Sequence, residues 1–570
     1  MNNTHWDKPE NEDRGDISSP KKSKIFIWLP LIIALSIAIG IFVGNAFMRY
    51  DTGGSLRPLF KKNTTKLDAL FDYMNKAYVD TVNIDAIVEE AMPTIISTLD
   101  PHSAYITAED MQSVGTELEG HFGGIGVEFM IQEDTIFIVN VTVGGPSEAM
   151  GIMAGDRIVT VNDSVFAGIG LNNTKVMKTL RGVMGTKVKI GIKRSTSPDI
   201  LNFDLTRGSV PVSSIDASYM IEDFIGYIKI SKFAITTYNE FISAVAKLKN
   251  QGAKSFIIDL QGNTGGYLAA ANLLTNEFLH SGDLIVYTEG RAYPRENFVA
   301  NGTGACKEDE VVVLIDEGSA SASEIFSGAI QDHDRGLIVG RRSFGKGLVQ
   351  NQHEFSDGSA IRLTIARYHT PSGRCIQKPY VRGKKDDYDY DIVERYNRGE
   401  FFNRDSMKVD NLPIFYTKAG RPVYGDDGVM ADVFVPRDTV GINAYSIKIF
   451  NSGALREYAF KYSEKNKEKL KAMQDWQTAY QYLTSQPLVE QLVAYGETKK
   501  ISRRPVLIQE AYPMMKSQLE GLILRNVFNA GFFEVIQKDD PMINKAVELI
   551  KQGKATPDAV AEELYMLNNR

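Results

Sequence analysis

The chain has 570 residues, too many for one hydrophobic core, so roughly two to four folded units are expected. Its 64 basic and 71 acidic residues leave a net charge of −7, which gives no reason to invoke nucleic acid as a partner. Two cysteines, Cys306 and Cys375, exclude a disulfide framework and leave open either a single bridge or two thiols. Residues 1–24 are polar and rich in Asn, Asp, Glu and Lys, the composition of a disordered leader. The run 25–44, "IFIWLPLIIALSIAIGIFVG", holds no charge and is long enough to cross a bilayer as a helix. Lys21, Lys22 and Lys24 abut it and favour a cytoplasmic N-terminus. The expectation is a single-pass anchor over 25–47, with everything after it outside the cytoplasm, on the periplasmic side if the cell is Gram-negative.

Residues 48–118 form the next unit. From 62 onward, "KLDALFDYMNKAYVD" and "IDAIVEEAMPTIISTL" space their apolar residues as helices do, and "LDPHSAYIT" (99–107) closes the segment. Between 119 and 208 short β-type runs alternate with glycine-rich turns. From 209 to 440 the runs "IGYIKIS", "SFIIDL", "VVVLID" and "GLIVG" alternate with helical segments, which indicates an α/β core. Within it the polar, tyrosine-rich stretch 380–427 reads as a surface insertion. Residues 441–570 are helical and charged; packing on the core is the simplest account, with homodimerisation or adaptor docking as alternatives.

Chemistry concentrates in 316–350, "DEGSASASEIFSGAIQDHDRGLIVGRRSFGKGLVQ". The fragment Gly340 to Lys346 imitates a phosphate-binding loop. However, Gly347 stands where Ser or Thr must hold magnesium, and the next residues alternate as strands rather than opening a helix. In "GSASASEIF", Ser321 and Glu324 have the spacing of a capping box at a helix start. A serine at such a corner also exposes its hydroxyl beside free amides that can receive an oxyanion. His333 lies one helix away, about 18 Å along the axis, too far to serve as its base. Lys346, set among Phe344, Leu348 and Val349, is expected to be buried, and burial favours the neutral amine that a base requires. Gln350 can orient that amine without adding charge.

These strings resemble the active-site region of the C-terminal processing peptidases, or tail-specific proteases, a Ser–Lys serine peptidase family. The resemblance covers roughly 65–438 and includes "LDPHSAYIT", "DLQGNTGGYL" (259–268), "LTIARYHTPSGRCIQ" (363–377) and "DDGVMADVFVP" (426–436). Gln261 and Thr264 depart from the family's usual Arg and Pro without removing a backbone donor. The resemblance implies a mixed α/β serine-protease core with an inserted PDZ-like β domain, to which the patterns above add helical N- and C-terminal regions and one N-terminal transmembrane helix. It implies Ser321 as nucleophile, Lys346 as base, Gln350 as the residue orienting the lysine, and the Gly266 and Ala322 amides as oxyanion donors. Asp332 matches another family position, with a structural role open to it.

"GGIGVEF" (123–129) resembles a PDZ carboxylate loop, which implies Gly126 and Val127 as amide donors to a substrate tail. Arg181 matches a position that couples this module to the protease site in some members; a plain surface charge is the equal alternative. The implied function is a membrane-anchored endopeptidase acting on protein C-terminal tails, requiring no metal or nucleotide cofactor. A non-catalytic PDZ scaffold is the rival reading.

Overall fold

The computed structural model describes residues 33–41, 65–111 and 119–560. They divide into two units, Met1–Ile87 and Val88–Arg570. In the first, 33–41 is helical, and the helix Lys66–Ala77 starts at Thr65, whose N–H donates to the Asp68 carboxylate at 2.9 Å. The leader 1–24 and most of the anchor 25–47 lie outside the described residues. No described helix is long and apolar enough to cross a membrane.

The second unit is built on a six-stranded sheet in the order Ile215–Glu222, Ile225–Ile230, Ser255–Asp259, Glu310–Ile315, Leu337–Gly340, Val433–Phe434. The first pair is antiparallel and every later pair is parallel. Parallel strands covered on both faces read as unbroken apolar runs, as "VVVLI" does. Alternation then sorts each strand between two cores. Val311, Val313 and Ile315 face the helices Thr237–Asn250, Leu268–Asn276 and Ala322–Asp332. Val312 and Leu314 face Met542, Ile543, Ala546, Leu549 and Ile550 of the helix Pro541–Lys551. The end of the chain thus closes the second face of the sheet. A second, antiparallel sheet contains Ala104–Ile106, Leu348–Glu354 and the long strand Ala360–His369.

The β domain has its own core of Ile136, Ile138, Ile158, Val188, Ile190 and neighbours. Its entry strand His121–Gly124 pairs antiparallel with its exit strand Gly208–Pro211, so the domain is a closed insertion. Helices between Ala444 and Phe528 form a further core around Ile449, Leu483, Leu492 and Leu519. The tyrosine-rich insertion is mostly exposed, as expected, but it carries a buried ionic cluster. Its helix Lys385–Asn397 buries Tyr388 and Arg395, and Arg395 pairs with buried Glu400 at 2.9 Å, so the polar composition conceals mutually satisfied charges. Cys306 and Cys375 are both free thiols.

Candidate active site

Ligand sites of α/β sheets form beyond the carboxyl ends of the strands. Here two turns meet at that edge, one leaving Ser255–Asp259 and the other leaving Glu310–Ile315. The three serines of the second turn are used differently. Ser319 is buried and donates its hydroxyl to the Leu260 carbonyl (2.8 Å); Ser323 is buried and donates to the Asn263 carbonyl (2.8 Å). Both fasten the glycine turn. Ser321 lies between them, half-buried, with φ 57° and ψ −113°. Holding a non-glycine residue there costs roughly 1–3 kcal/mol, and such strain is a feature of exposed nucleophile corners.

The glycine turn is pressed against this corner. Asn263 shapes it, donating to the Ile230 carbonyl at 2.8 Å and accepting from the Gly265 N–H at 2.9 Å. Gly265 and Gly266 have φ of 99° and 149°. A Cβ on Gly265 would lie 2.7 Å from the Ser321 Cβ, and one on Gly266 would lie 2.0 Å from the Phe233 carbonyl oxygen. Neither position admits a side chain. Among the described residues no acceptor is taken by the Gly266 or Ala322 N–H, so two backbone donors remain free beside Ser321.

Lys346 reaches the same place from another element. It is followed by the strand Leu348–Glu354 rather than a helix, so nothing here has the form of a phosphate loop. Glu324 ties it to the serine. Fully buried in the first turn of Ala322–Asp332, it accepts from the Ser321 N–H (2.7 Å), the Ser343 hydroxyl (2.5 Å), the Gly345 N–H (2.8 Å) and the Lys346 N–H (2.9 Å). The reach back to Ser321 is half of the anticipated capping box; the other three contacts hold the lysine loop. Burial lifts the Glu324 carboxyl to about 7 against the pull of these donors. Tyr368 adds a second tie, its hydroxyl donating to the Ser321 carbonyl (3.0 Å) and to the Lys346 carbonyl. Phe344 N–H donates to the Ser319 carbonyl at 2.9 Å.

Lys346 is half-buried rather than enclosed, which leaves its amine open to the cleft. Burial, and after it the nearby Arg362 charge, lowers its pKa below the ordinary lysine value. Its Nζ donates to Gln350 Oε1 at 3.1 Å, and Gln350 Nε2 donates to the His102 carbonyl at 2.5 Å. "LDPHSAYIT" therefore reaches the site as the support of Gln350. Asp100 fixes that turn, accepting from the His102 N–H (2.9 Å), the Ser103 N–H (2.8 Å) and the Ser103 hydroxyl (2.5 Å). His102 Nε2 lies 2.9 Å from the Tyr388 hydroxyl, and burial, then the Lys346 charge, depresses its pKa to about 4. His333 caps the far end of its helix against the Leu284 carbonyl (2.7 Å). Asp332 is spent on a fully buried pair with Arg374 (2.8 Å).

In the β domain, Val127–Gln132 is an edge strand, paired on one side only with Thr135–Val141 among the described residues. Gly126, at φ 74°, begins it, and the helix Asn173–Leu180 turns Val176 and Leu180 into the same core as Val127 and Phe129. Arg181 ends that helix and stacks on Phe122 within the module, 4.1 Å from its ring centre. Of the residues around the site, the Glu324 hub, Tyr368, Asn263 and the His102 carbonyl had no assigned role in the sequence. Glu324 gave a signal there as a helix cap, while His102, Asn263 and Tyr368 lie inside strings that matched the family without being singled out.

A family model for PDZ domains matches 123–205, one for peptidase family S41 matches 224–389, and one for a family of unknown function, DUF8443, matches 445–529. The carboxy-terminal processing protease CtpA of Bacillus subtilis is 33% identical over 62% of this chain and 77% of its own length. A probable CtpA-like serine protease of Staphylococcus aureus is 30% identical over 73% of this chain and 83% of its own. Among solved structures, the photosystem II D1 C-terminal processing protease aligns at 26% identity over 54% of this chain and 83% of that one, with a TM-score of 0.32. With 30% identity spanning 83% of a relative's length and the S41 model lying across the serine corner and the lysine loop, the chain belongs to the C-terminal processing proteases of peptidase family S41 and is a serine-type endopeptidase.

Proposed function

We propose that Ser321 is the nucleophile, Lys346 its general base and Gln350 the residue that aims the lysine. The carrying observation is that one buried carboxylate, Glu324, holds the Ser321 amide and the Lys346 amide together. Lys346 is neutral in the working state, as its lowered pKa favours. It takes the Ser321 hydroxyl proton as Oγ bonds to the scissile carbonyl carbon. The carbonyl oxygen becomes an oxyanion facing the free Gly266 and Ala322 amides. Collapse breaks the C–N bond, the leaving amine takes the proton from Lys346, and an acyl-enzyme remains. Water, deprotonated by Lys346, then attacks the ester; Ser321 leaves with that proton, and the cleaved chain is freed as its carboxylic acid, which loses its remaining proton to solvent. None of these steps calls for a metal or nucleotide.

The tail of a protein substrate docks in the PDZ domain, its carboxylate received by the Gly126 and Val127 amides and its backbone extending the edge strand. The charge-free run 25–44 beside Lys21, Lys22 and Lys24 supports anchoring by a single membrane helix, with the catalytic region outside the cytoplasm. The test is cleavage of a tailed protein substrate by the full chain in detergent. Ser321→Ala and Lys346→Ala are expected to lose at least about a thousandfold in kcat while still binding the tail. Full activity in Ser321→Ala, with loss in Ser319→Ala or Ser323→Ala, would refute the choice of nucleophile.

A further inference from the structure

The PDZ domain does not stand alone. Phe137 meets Phe460 of the helix Ala454–Lys471 edge-on, with ring centres 5.7 Å apart. Glu133 faces Lys461 at 3.5 Å, and Glu128 of the edge strand pairs with Arg525 of the helix Pro505–Phe528 at 2.5 Å. Behind these contacts lies a cavity of about 220 Å³ between the outer face of the β domain and the two helices. Glu128 and Asn140 line it from the domain, and Lys467, Lys471, Arg525 and Asn526 line it from the helices. Its charge is lopsided. Arg525 is matched by Glu128 and Lys467 lies 3.3 Å from Glu464, but Lys471 is in no ion pair among the described residues.

An added strand alternates its side chains between the two faces of the sheet. With a tail carboxylate at Gly126 and Val127, the last side chain falls on the side of Val127, into the apolar core that the helix Asn173–Leu180 completes. The penultimate side chain then falls on the face of Glu128, the same face of the sheet that the cationic cavity covers. We propose that this junction is a second recognition subsite, and that the enzyme selects tails whose penultimate residue is Asp or Glu. The inference rests on tail capture by the PDZ domain. It gives the helical region matched by the DUF8443 model a role in substrate choice rather than in chemistry.

The experiment measures binding of labelled ten-residue peptides to the full chain carrying Ser321→Ala. The peptides share an apolar last residue and differ in having Asp, Asn or Lys before it. Asp is expected to bind roughly three- to fivefold more tightly than Asn, the scale of a partly exposed ion pair, with Lys weakest. Salt at 0.5 M should erase most of the difference. Lys471→Glu should abolish the preference, Lys471→Arg should keep it, and Glu128→Gln should enlarge it by removing the competing carboxylate. Equal binding of the Asp and Asn peptides, or a preference that survives Lys471→Glu combined with Arg525→Gln, overturns the subsite. Failure of every peptide to bind, including after Glu128→Gln, overturns tail capture itself and the subsite with it.

Discussion

The edge of the sheet that carries the proposed catalytic residues and the junction between the PDZ domain and the C-terminal helices use the same kinds of charge in opposite ways. At the sheet edge the ions are buried and over-committed. Glu324 answers four donors, and Glu400 holds Arg342 (2.7 Å) and Arg395 (2.9 Å), while Arg395 donates to the Arg342 and Ser343 carbonyls (both within 2.9 Å). At the junction the ion pairs that cross between domain and helices are 42–79% exposed, with Glu133 the most open. Buried charges that lose a partner are costly, whereas exposed pairs contribute about 0–1 kcal/mol and are screened by salt. One region is therefore built to keep a geometry, the other to be read and released.

The strongest way to break this contrast is to remove a hub. Glu400→Leu leaves Arg342 and Arg395, both buried, without their shared carboxylate. It is expected to destabilise the protease core by about 3–5 kcal/mol, read as a fall in the core's thermal transition while tail binding by the PDZ domain survives. Unchanged stability would mean that the insertion is as dispensable as its composition suggests.

A smaller change tests the lysine itself. Because burial and Arg362 lower the Lys346 pKa, kcat/KM should rise with pH as the ammonium loses its proton, and the rising limb should lie below the ordinary lysine range. Gln350→Glu places a carboxylate 3.1 Å from the amine in place of an amide oxygen. An adjacent negative charge favours the ammonium, so the limb should move to higher pH. Gln350→Met should lower kcat without that displacement. If Gln350→Glu leaves the profile in place, the titrating base is not Lys346.

The legible and illegible parts of the site divide by sequence distance. Ser321 and Lys346 could be proposed from strand ends and serine spacing together with the family resemblance, and the glycine turn through that resemblance, because all of these are local patterns. The strand alternation that assigns Val311 and Val312 to different cores was equally local. Glu324 was visible only through its bond to a residue three positions away. Its ties to Gly345 and Lys346 span 21 and 22 residues, and the bond from Gln350 to His102 spans 248. The 380–427 stretch was legible as surface, but its buried ions were not: Asp, Lys, Arg and Tyr read as surface unless their partners are known, and Arg395 and Glu400 are partners of each other. The second face of the sheet was within reach. Met542, Ile543, Ala546, Leu549 and Ile550 follow helical spacing, but nothing local says which strands they cover.

The smallest predicted effect lies at the junction, and its smallness is informative. Lys461→Glu sets two carboxylates against each other where Glu133 now faces an amine at 3.5 Å. The expected loss is under about 1 kcal/mol, too little to unfold either partner. It should appear as faster hydrogen exchange along Thr135–Val141, the strand that bears Phe137, with the exchange of Glu310–Ile315 unchanged. Zero-length carbodiimide coupling supplies the independent measure. In the wild type it should join Lys461 to Glu133, with Lys551–Glu222 at 2.6 Å as the internal reference pair. Loss of the first cross-link at 0.5 M salt, with Phe137 still protected, would assign the docking to the aromatic contact and leave the ion pair as a screened accessory. Persistence of the cross-link at high salt would instead place the junction with the sheet edge, as geometry kept rather than geometry read.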